Sequence, residues 1–324
     1  MCENVSKLQE LTANDLDKSL KNIQYFCDTL DDSISKIVEH LINNGGKRLR
    51  PQFTLCCAKI CNYHGEKHIN LATVVELIHT ATLLHDDVVD ESSRRRNVAT
   101  VNHLWGNKSA ILAGDILLAY ALELTTPEAL RSITRTVLEV AKGEIKQLSS
   151  DKKLEISIEE YLDIISLKTA KLFSLACELG TFPNNSSTDI RKSLMDFGYN
   201  FGMAFQLIDD VLDYTSDNTG KTRGLDFQNN KITLPVILAY QRGDKEFWQS
   251  HISRVKNTSE EIRVNSSDFQ KTLEIMEETN AIKDTKILAN KYLENARTAL
   301  DDIQNSEYKN ALLETLDFYT DMLI

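Results

Sequence analysis

Proline is nearly absent from this chain, with four residues in 324, and glycine is sparse at twelve. No Pro/Gly/Ser-rich stretch marks a domain boundary, and the composition suits long helices, so one domain spanning 1–324 is expected. There is no excess of positive charge: the formal net charge is -11. A protein that tracks nucleic-acid phosphates by bulk electrostatics is therefore excluded, and any anionic substrate must be held by local cations or bridging metal. None of the six cysteines, at 2, 27, 56, 57, 61 and 177, forms a CxxC pair, which implies reduced, partly buried thiols and a cytoplasmic protein. No apolar run reaches eighteen residues, and no leader-like pattern precedes Asp17, so no transmembrane segment is expected.

What the sequence has in quantity is helical periodicity. Leu194, Phe197, Phe201, Phe205, Ile208 and Leu212 recur every three or four residues behind Thr188, a candidate N-cap. Val74, Val75, Ile78, Ala81, Leu84 and Val88 repeat the pattern. Segments near 13–42, 51–62, 109–124, 128–149, 158–180, 233–242 and 284–304 read as helices too. Loops are expected at 43–46, 92–97, 183–187 and 217–230, and no two-residue alternation predicts a hairpin. The fold class is all-α, a large helical bundle. The charged segment after Asp244 reads as a solvated helical layer.

Two aspartate clusters carry the chemistry. Asp86-Asp87-Val88-Val89-Asp90 and Asp209-Asp210-Val211-Leu212-Asp213 each continue a strongly apolar helix. Residues four apart share a helix face, so Asp86 pairs with Asp90 and Asp209 with Asp213, while Asp87 points about 100° away. Close carboxylates repel unless a cation lies between them. Hard oxygen ligands in this pattern suit Mg²⁺, which completes its shell with water and substrate phosphate. One such motif alone reads as a solvated helix end; two, each continuing a core-facing helix, point to metal-bridged diphosphate.

Cations sit nearby in sequence. Gly45-Gly46-Lys47-Arg48-Leu49-Arg50-Pro51 places three of them after a glycine pair, and Arg94-Arg95-Arg96 follows Asp90. Lys168, Lys221 and Lys231 complete the set. His79 lies seven residues before Asp86, on the same helix face within about 20°. Glu76-x-x-His79 raises a di-iron carboxylate bundle, but that architecture needs a second Glu-x-x-His, which is absent. His64 and His68 lack the order of a zinc-protease helix.

With these residues in place the chain resembles the trans-prenyltransferases of the polyprenyl synthetase family, most of all the bacterial octaprenyl diphosphate synthases. The resemblance rests on GGKRLRP at 45–51, ELIHTATLLHDDVVDES at 76–92, GD at 114–115, KTAKLF at 168–173, FQLIDDVLDY at 205–214, GK at 220–221 and KITLP at 231–235. It implies a helical fold around a deep central cavity, usually a homodimer, with roughly two or three Mg²⁺ ions per active site. It implies that Asp86, Asp90 and Asp209 bind the metal and act in catalysis with Lys168. Lys47, Arg50, His79 and Arg96 would hold isopentenyl diphosphate. Arg95, Lys168, Thr169, Gln206, Lys221 and Lys231 would surround the allylic diphosphate, farnesyl or geranyl. Arg95-Arg96-Asn97-Val98 departs from the usual Arg-Arg-Gly-Lys, Asn230 replaces a common glycine, and the 217–226 loop is short.

The implied reaction is ionisation of the allylic C–O bond, attack by the isopentenyl double bond, and proton loss. Ala81 and Thr82, five and four residues before Asp86, are small where short-product enzymes carry bulk, which favours a long product, octaprenyl diphosphate. Leu118, Tyr120 and Leu122 are candidates for the floor of the elongation tunnel. Three other readings stand beside this one. They are a shorter-chain geranylgeranyl or farnesyl diphosphate synthase, a non-catalytic partner subunit, and a terpene cyclase, the last leaving GGKRLRP without a purpose.

Overall fold

The computed structural model describes residues 6–95, 98–150, 153–215, 224–228, 231–255 and 266–324. The described residues are almost wholly helical. In chain order the elements begin with α1 (Lys7–Asp28), α2 (Asp32–Asn43), α3 (Leu49–Ile60) and α4 (Lys67–Val89). A two-residue antiparallel pair follows, β1 (Arg94–Arg95) and β2 (Val98–Ala99), then α5 (Val101–Trp105), α6 (Asn107–Glu123) and α7 (Pro127–Ser150). Next come α8 (Ile158–Ile165), a π-turn (Ser166–Ala170), α9 (Lys171–Thr181), α10 (Thr188–Thr215) and α11 (Leu225–Gln228). The chain closes with α12 (Leu234–Arg242), α13 (Lys245–Val255), α14 (Ser266–Glu278), α15 (Ala281–Ala299) and α16 (Glu307–Asp321). No described helix is long and apolar enough to cross a membrane.

Local chemistry sets the helix ends. Ser6 and Gln9 form a reciprocal capping box on α1, and Ser157 and Glu160 do the same on α8. The helical stretch expected over 13–42 is broken: Thr29 closes α1, and the chain restarts at Asp32. The N-cap of α10 is Ser187 rather than Thr188, since the Ser187 hydroxyl accepts from the Ile190 amide at 3.3 Å. The expected loop at 92–97 contains β1, whose Arg94 and Arg95 register with Ala99 and Val98. Two-residue strands are too short to leave an alternation signal.

The chain divides into two compact units. The first comprises residues up to Leu138, Leu172–Tyr199 and Ala296–Asp317; the second comprises Glu139–Lys171, Asn200–Asn295 and Phe318–Ile324. In the first unit α4 is buried along most of its length and packs on the small-residue face of α6, formed by Ala110, Ala113, Gly114 and Ala121. Phe53 meets Phe173 and Phe197 in its core. Buried thiols line α3 and α9, and Cys27, Cys56, Cys57, Cys61 and Cys177 are all free. In the second unit Phe201 and Phe205 pack against Tyr319, while Tyr214 and Phe227 flank Phe269. The segment after Asp244 is more than a solvated layer: Trp248, Met276, Leu293, Leu312 and Leu316 are buried core residues.

Candidate active site

In the first unit the glycine loop winds around one side chain. Arg48 adopts a left-handed backbone (φ 52°) at the N-cap of α3. Its guanidinium pairs with Glu76 on α4 and donates to the Ile42 carbonyl at 2.6 Å. A Cβ on Gly45 would fall 2.0 Å from Arg48 Nη2, so glycine is required there. Two residues on, Arg50 lies 4.1 Å above the Phe173 ring, with Nη1 3.3 Å from His79 Nε2. Arg50, His79, Gly45, Gly46 and Arg95 line one pocket of about 80 Å³, together with Glu76 and Asp87. Lys47 is exposed, and its carbonyl accepts from Gln52 Nε2 at 2.5 Å.

The first aspartate cluster closes α4. Asp86 is half-buried and Asp90, the C-cap, is exposed, so both remain accessible on one face. Asp87 turns inward, as helical geometry requires, and accepts from Arg95 Nε and Nη2 at 3.0 and 2.9 Å. The β1–β2 hairpin supplies that arginine. Asn102 Nδ2 donates to the Asp87 and Ser92 carbonyls at 3.0 Å each, and the Thr100 hydroxyl donates to Ser92 at 2.6 Å. His85 Nε2 lies 3.1 Å from the Ile111 carbonyl and would meet a Cβ at position 114 at 2.3 Å, which explains Gly114 in the Gly-Asp pair. Ala81 is fully buried, and the Thr82 hydroxyl donates to the His79 carbonyl at 2.7 Å. Of the tunnel-floor candidates, Leu122 is exposed, Leu118 is half-buried, and Tyr120 stacks on Phe26 of α1 at 3.7 Å.

The second unit gathers the other predicted residues. The π-turn presents Lys168 and Thr169, and its approach to α7 depends on Gly143, where a Cβ would sit 2.7 Å from Leu167 Cβ. Lys168 Nζ contacts Glu144 at 2.5 Å and Gln147 at 2.7 Å. Thr169 Oγ1 donates to Gln206 Oε1 at 2.9 Å, and Gln206 Nε2 donates to Asp210 Oδ1 at 3.1 Å. Tyr161 donates its hydroxyl to the other oxygen of Asp210. Asp209 is half-buried on the outer face of α10. Asp213 accepts the Asp226 amide at 3.0 Å, and Lys231 lies 3.6 Å from Asp226. Arg96 and Lys221 lie outside the described residues.

The middle aspartate of each motif is thus a buried anchor. Sequence spacing turned Asp87 away from Asp86 and Asp90 but did not identify what it meets. Glu144, Gln147, Tyr161 and Phe173 escaped sequence reading because their partners lie on other helices.

Burial, then the Asp226 charge, pushes the Asp210 carboxyl up to about 8, against the opposing hydrogen bonds from Tyr161 and Gln206. A carboxyl raised in the folded state contributes stability that is full below its ordinary range near pH 4 and lost as pH rises through about 8. The slope reaches about 1.4 kcal/mol per pH unit between those limits. Asp210→Asn mimics the neutral form. In metal-free buffer it should raise the melting temperature at about pH 9 by several degrees and barely change it at about pH 4. Equal shifts at both values would show that Asp210 is not held neutral.

The donor set fits Mg²⁺. Both aspartate clusters stand at helix C-termini whose last turns carry no basic residue, where the helix dipole disfavours anions and a bound cation relieves them. Among the described residues no three His, Cys, Asp or Glu side chains converge as a closed metal cage. Mg²⁺ asks for one or two carboxylates and takes water and phosphate for the rest.

A helical fold with paired aspartate motifs, a guanidinium–imidazole pocket and a lysine on a π-turn defines a class of diphosphate-handling prenyltransferases. The chain belongs to the polyprenyl synthetase family, whose model matches residues 31–276. It is similar to the octaprenyl diphosphate synthase of Escherichia coli, 34% identical over 96% of each chain. Its fold matches that of a decaprenyl diphosphate synthase from Rhodobacter capsulatus, with a TM-score of 0.88 at 34% identity over 98% of each chain. A polyprenyl synthase from Caulobacter crescentus, complexed with calcium and isoprenyl diphosphate, matches with a TM-score of 0.87 at 37% identity over 97% of this chain and 96% of its own. The chain is a prenyltransferase.

Proposed function

We propose that the enzyme condenses isopentenyl diphosphate with farnesyl or geranyl diphosphate, in the presence of Mg²⁺, to make a long-chain all-trans polyprenyl diphosphate, octaprenyl diphosphate. The observation that carries this reading is α4 itself. One helix presents His79, against Arg50 in a cationic pocket, and two turns later the accessible pair Asp86 and Asp90.

The residues divide the work. Lys47, Arg50, His79 and Arg96 hold isopentenyl diphosphate. Arg95, Lys168, Thr169, Gln206, Lys221 and Lys231 hold the allylic diphosphate. Asp86, Asp90 and Asp209 are the metal ligands. The chemistry Mg²⁺ supplies when bound is neutralisation of the leaving diphosphate. Lys168 and the arginines add positive charge where the C–O bond breaks, and the apolar faces of the helices exclude water that would quench the allylic cation. The isopentenyl double bond then attacks, and a proton is lost, with the released diphosphate as its acceptor.

The single-domain reading is supported by the family match, which spans both units, and by unit boundaries that fall inside helices α7, α10, α15 and α16 rather than in linkers. A homodimer is supported by the exposed apolar residues Ile111, Leu112 and Leu122 of α6. The free buried thiols support action in the cytoplasm.

Product length rests on small Ala81 and Thr82. Sizing the products made from farnesyl diphosphate and labelled isopentenyl diphosphate should show growth to octaprenyl diphosphate. Arrest at geranylgeranyl diphosphate would instead favour the shorter-chain reading, and no product from the purified chain would favour a partner subunit.

A further inference from the structure

Arg48 and Glu76 have no part in the division of labour above. Both are nearly enclosed, with side chains 11% and 5% exposed. Arg48 ties three segments together: the end of α2 through the Ile42 carbonyl, the glycine loop packed on its guanidinium, and α4 through Glu76. It does so from a left-handed backbone that a bulky residue rarely adopts, a strain that persists only where surrounding contacts impose it. Its neighbours are telling. Arg50 follows Arg48 by two residues, and His79 follows Glu76 by one helical turn, and those two side chains meet at 3.3 Å.

We infer that the buried Arg48–Glu76 pair is a positioning element that sets α3 against α4 so that Arg50 and His79 converge on one diphosphate. Neither partner contacts the substrate. Buried ion pairs add little net stability compared with apolar packing, so a purely stabilising role accounts poorly for a strained arginine wrapped by a glycine loop. This inference rests on the proposed isopentenyl diphosphate site.

The test uses the full-length chain with Mg²⁺, farnesyl diphosphate and isopentenyl diphosphate. Glu76→Gln removes the charge with little change of shape. Arg48→Gly keeps the left-handed backbone without strain and removes the guanidinium. Each is expected to raise KM for isopentenyl diphosphate about tenfold, with KM for farnesyl diphosphate and kcat within about twofold. Calorimetric titration of isopentenyl diphosphate into the metal-free chain should show the same weakening without turnover. The double variant leaves no buried charge unpaired, and is measured in the same way where a single variant fails to fold. Equal KM shifts for both substrates, a loss confined to kcat, or wild-type behaviour of Arg48→Gly would overturn the inference. Wild-type turnover is read separately: its absence counts against the proposed reaction, not against the pair.

Discussion

Asp86→Ala and Asp209→Ala are each expected to lower turnover by at least about a thousandfold while the chain still folds. Both side chains are half-buried at the ends of their helices, and the last turns of those helices carry no basic residue. Removing a carboxylate there relieves an unfavourable interaction with the helix dipole, so the free protein should melt at the wild-type temperature or slightly above. The neighbouring aspartates should behave in the opposite way. Asp87→Ala removes the partner of Arg95, and Asp210→Ala strands the Tyr161 hydroxyl and Gln206, each costing about 2 kcal/mol of stability. Initial rates and thermal melts on the four variants separate metal ligands from anchors. Near-normal turnover in Asp86→Ala or Asp209→Ala would refute the metal roles.

That contrast shows where sequence reading stops. The helices were legible because their apolar positions recur at the helical period, and Asp86 and Asp90 were legible because four residues bring a side chain back to the same face. The partners of Asp87 and Asp210 were not. Arg95 reaches Asp87 only because a hairpin too short to show a strand pattern folds back on α4. Tyr161 reaches Asp210 from a helix 49 residues away in sequence. Lys168 was readable as a cation, but its contacts with Glu144 and Gln147 depend on Gly143 admitting the π-turn. Periodicity reports which face of a helix is buried, and it is silent about what that face meets. Arg48 illustrates the limit: in sequence it is one cation of three, and only the fold separates the buried clamp from Arg50 in the pocket and exposed Lys47.

The same limit conceals the position whose substitution should harm the fold most. Gly180 lies on α9, and a Cβ there would sit 2.5 Å from the Thr54 carbonyl oxygen, 2.6 Å from Cys57 Cβ and 2.8 Å from the Ala58 amide nitrogen. Two of these three atoms belong to the α3 backbone and cannot turn aside as a side chain can. Gly180→Val must therefore push α3 away from α9. That opens the core where Phe53 packs on Phe173 and the Thr54 hydroxyl donates to the Ala176 carbonyl at 2.8 Å. Overpacking against backbone combined with a lost buried hydrogen bond places the destabilisation at about 4 kcal/mol or more, a drop in melting temperature of roughly 10 °C. Function should fall with it, because α3 carries Arg50 and α9 carries the Phe173 ring beneath that guanidinium. Gly106→Ala is the control. Gly106 has a φ of 81° but nothing within 4 Å of an added Cβ, so it carries only the backbone penalty of about 1 kcal/mol. If thermal melts placed the two variants together, the close approach of α3 and α9 would not be what Gly180 provides.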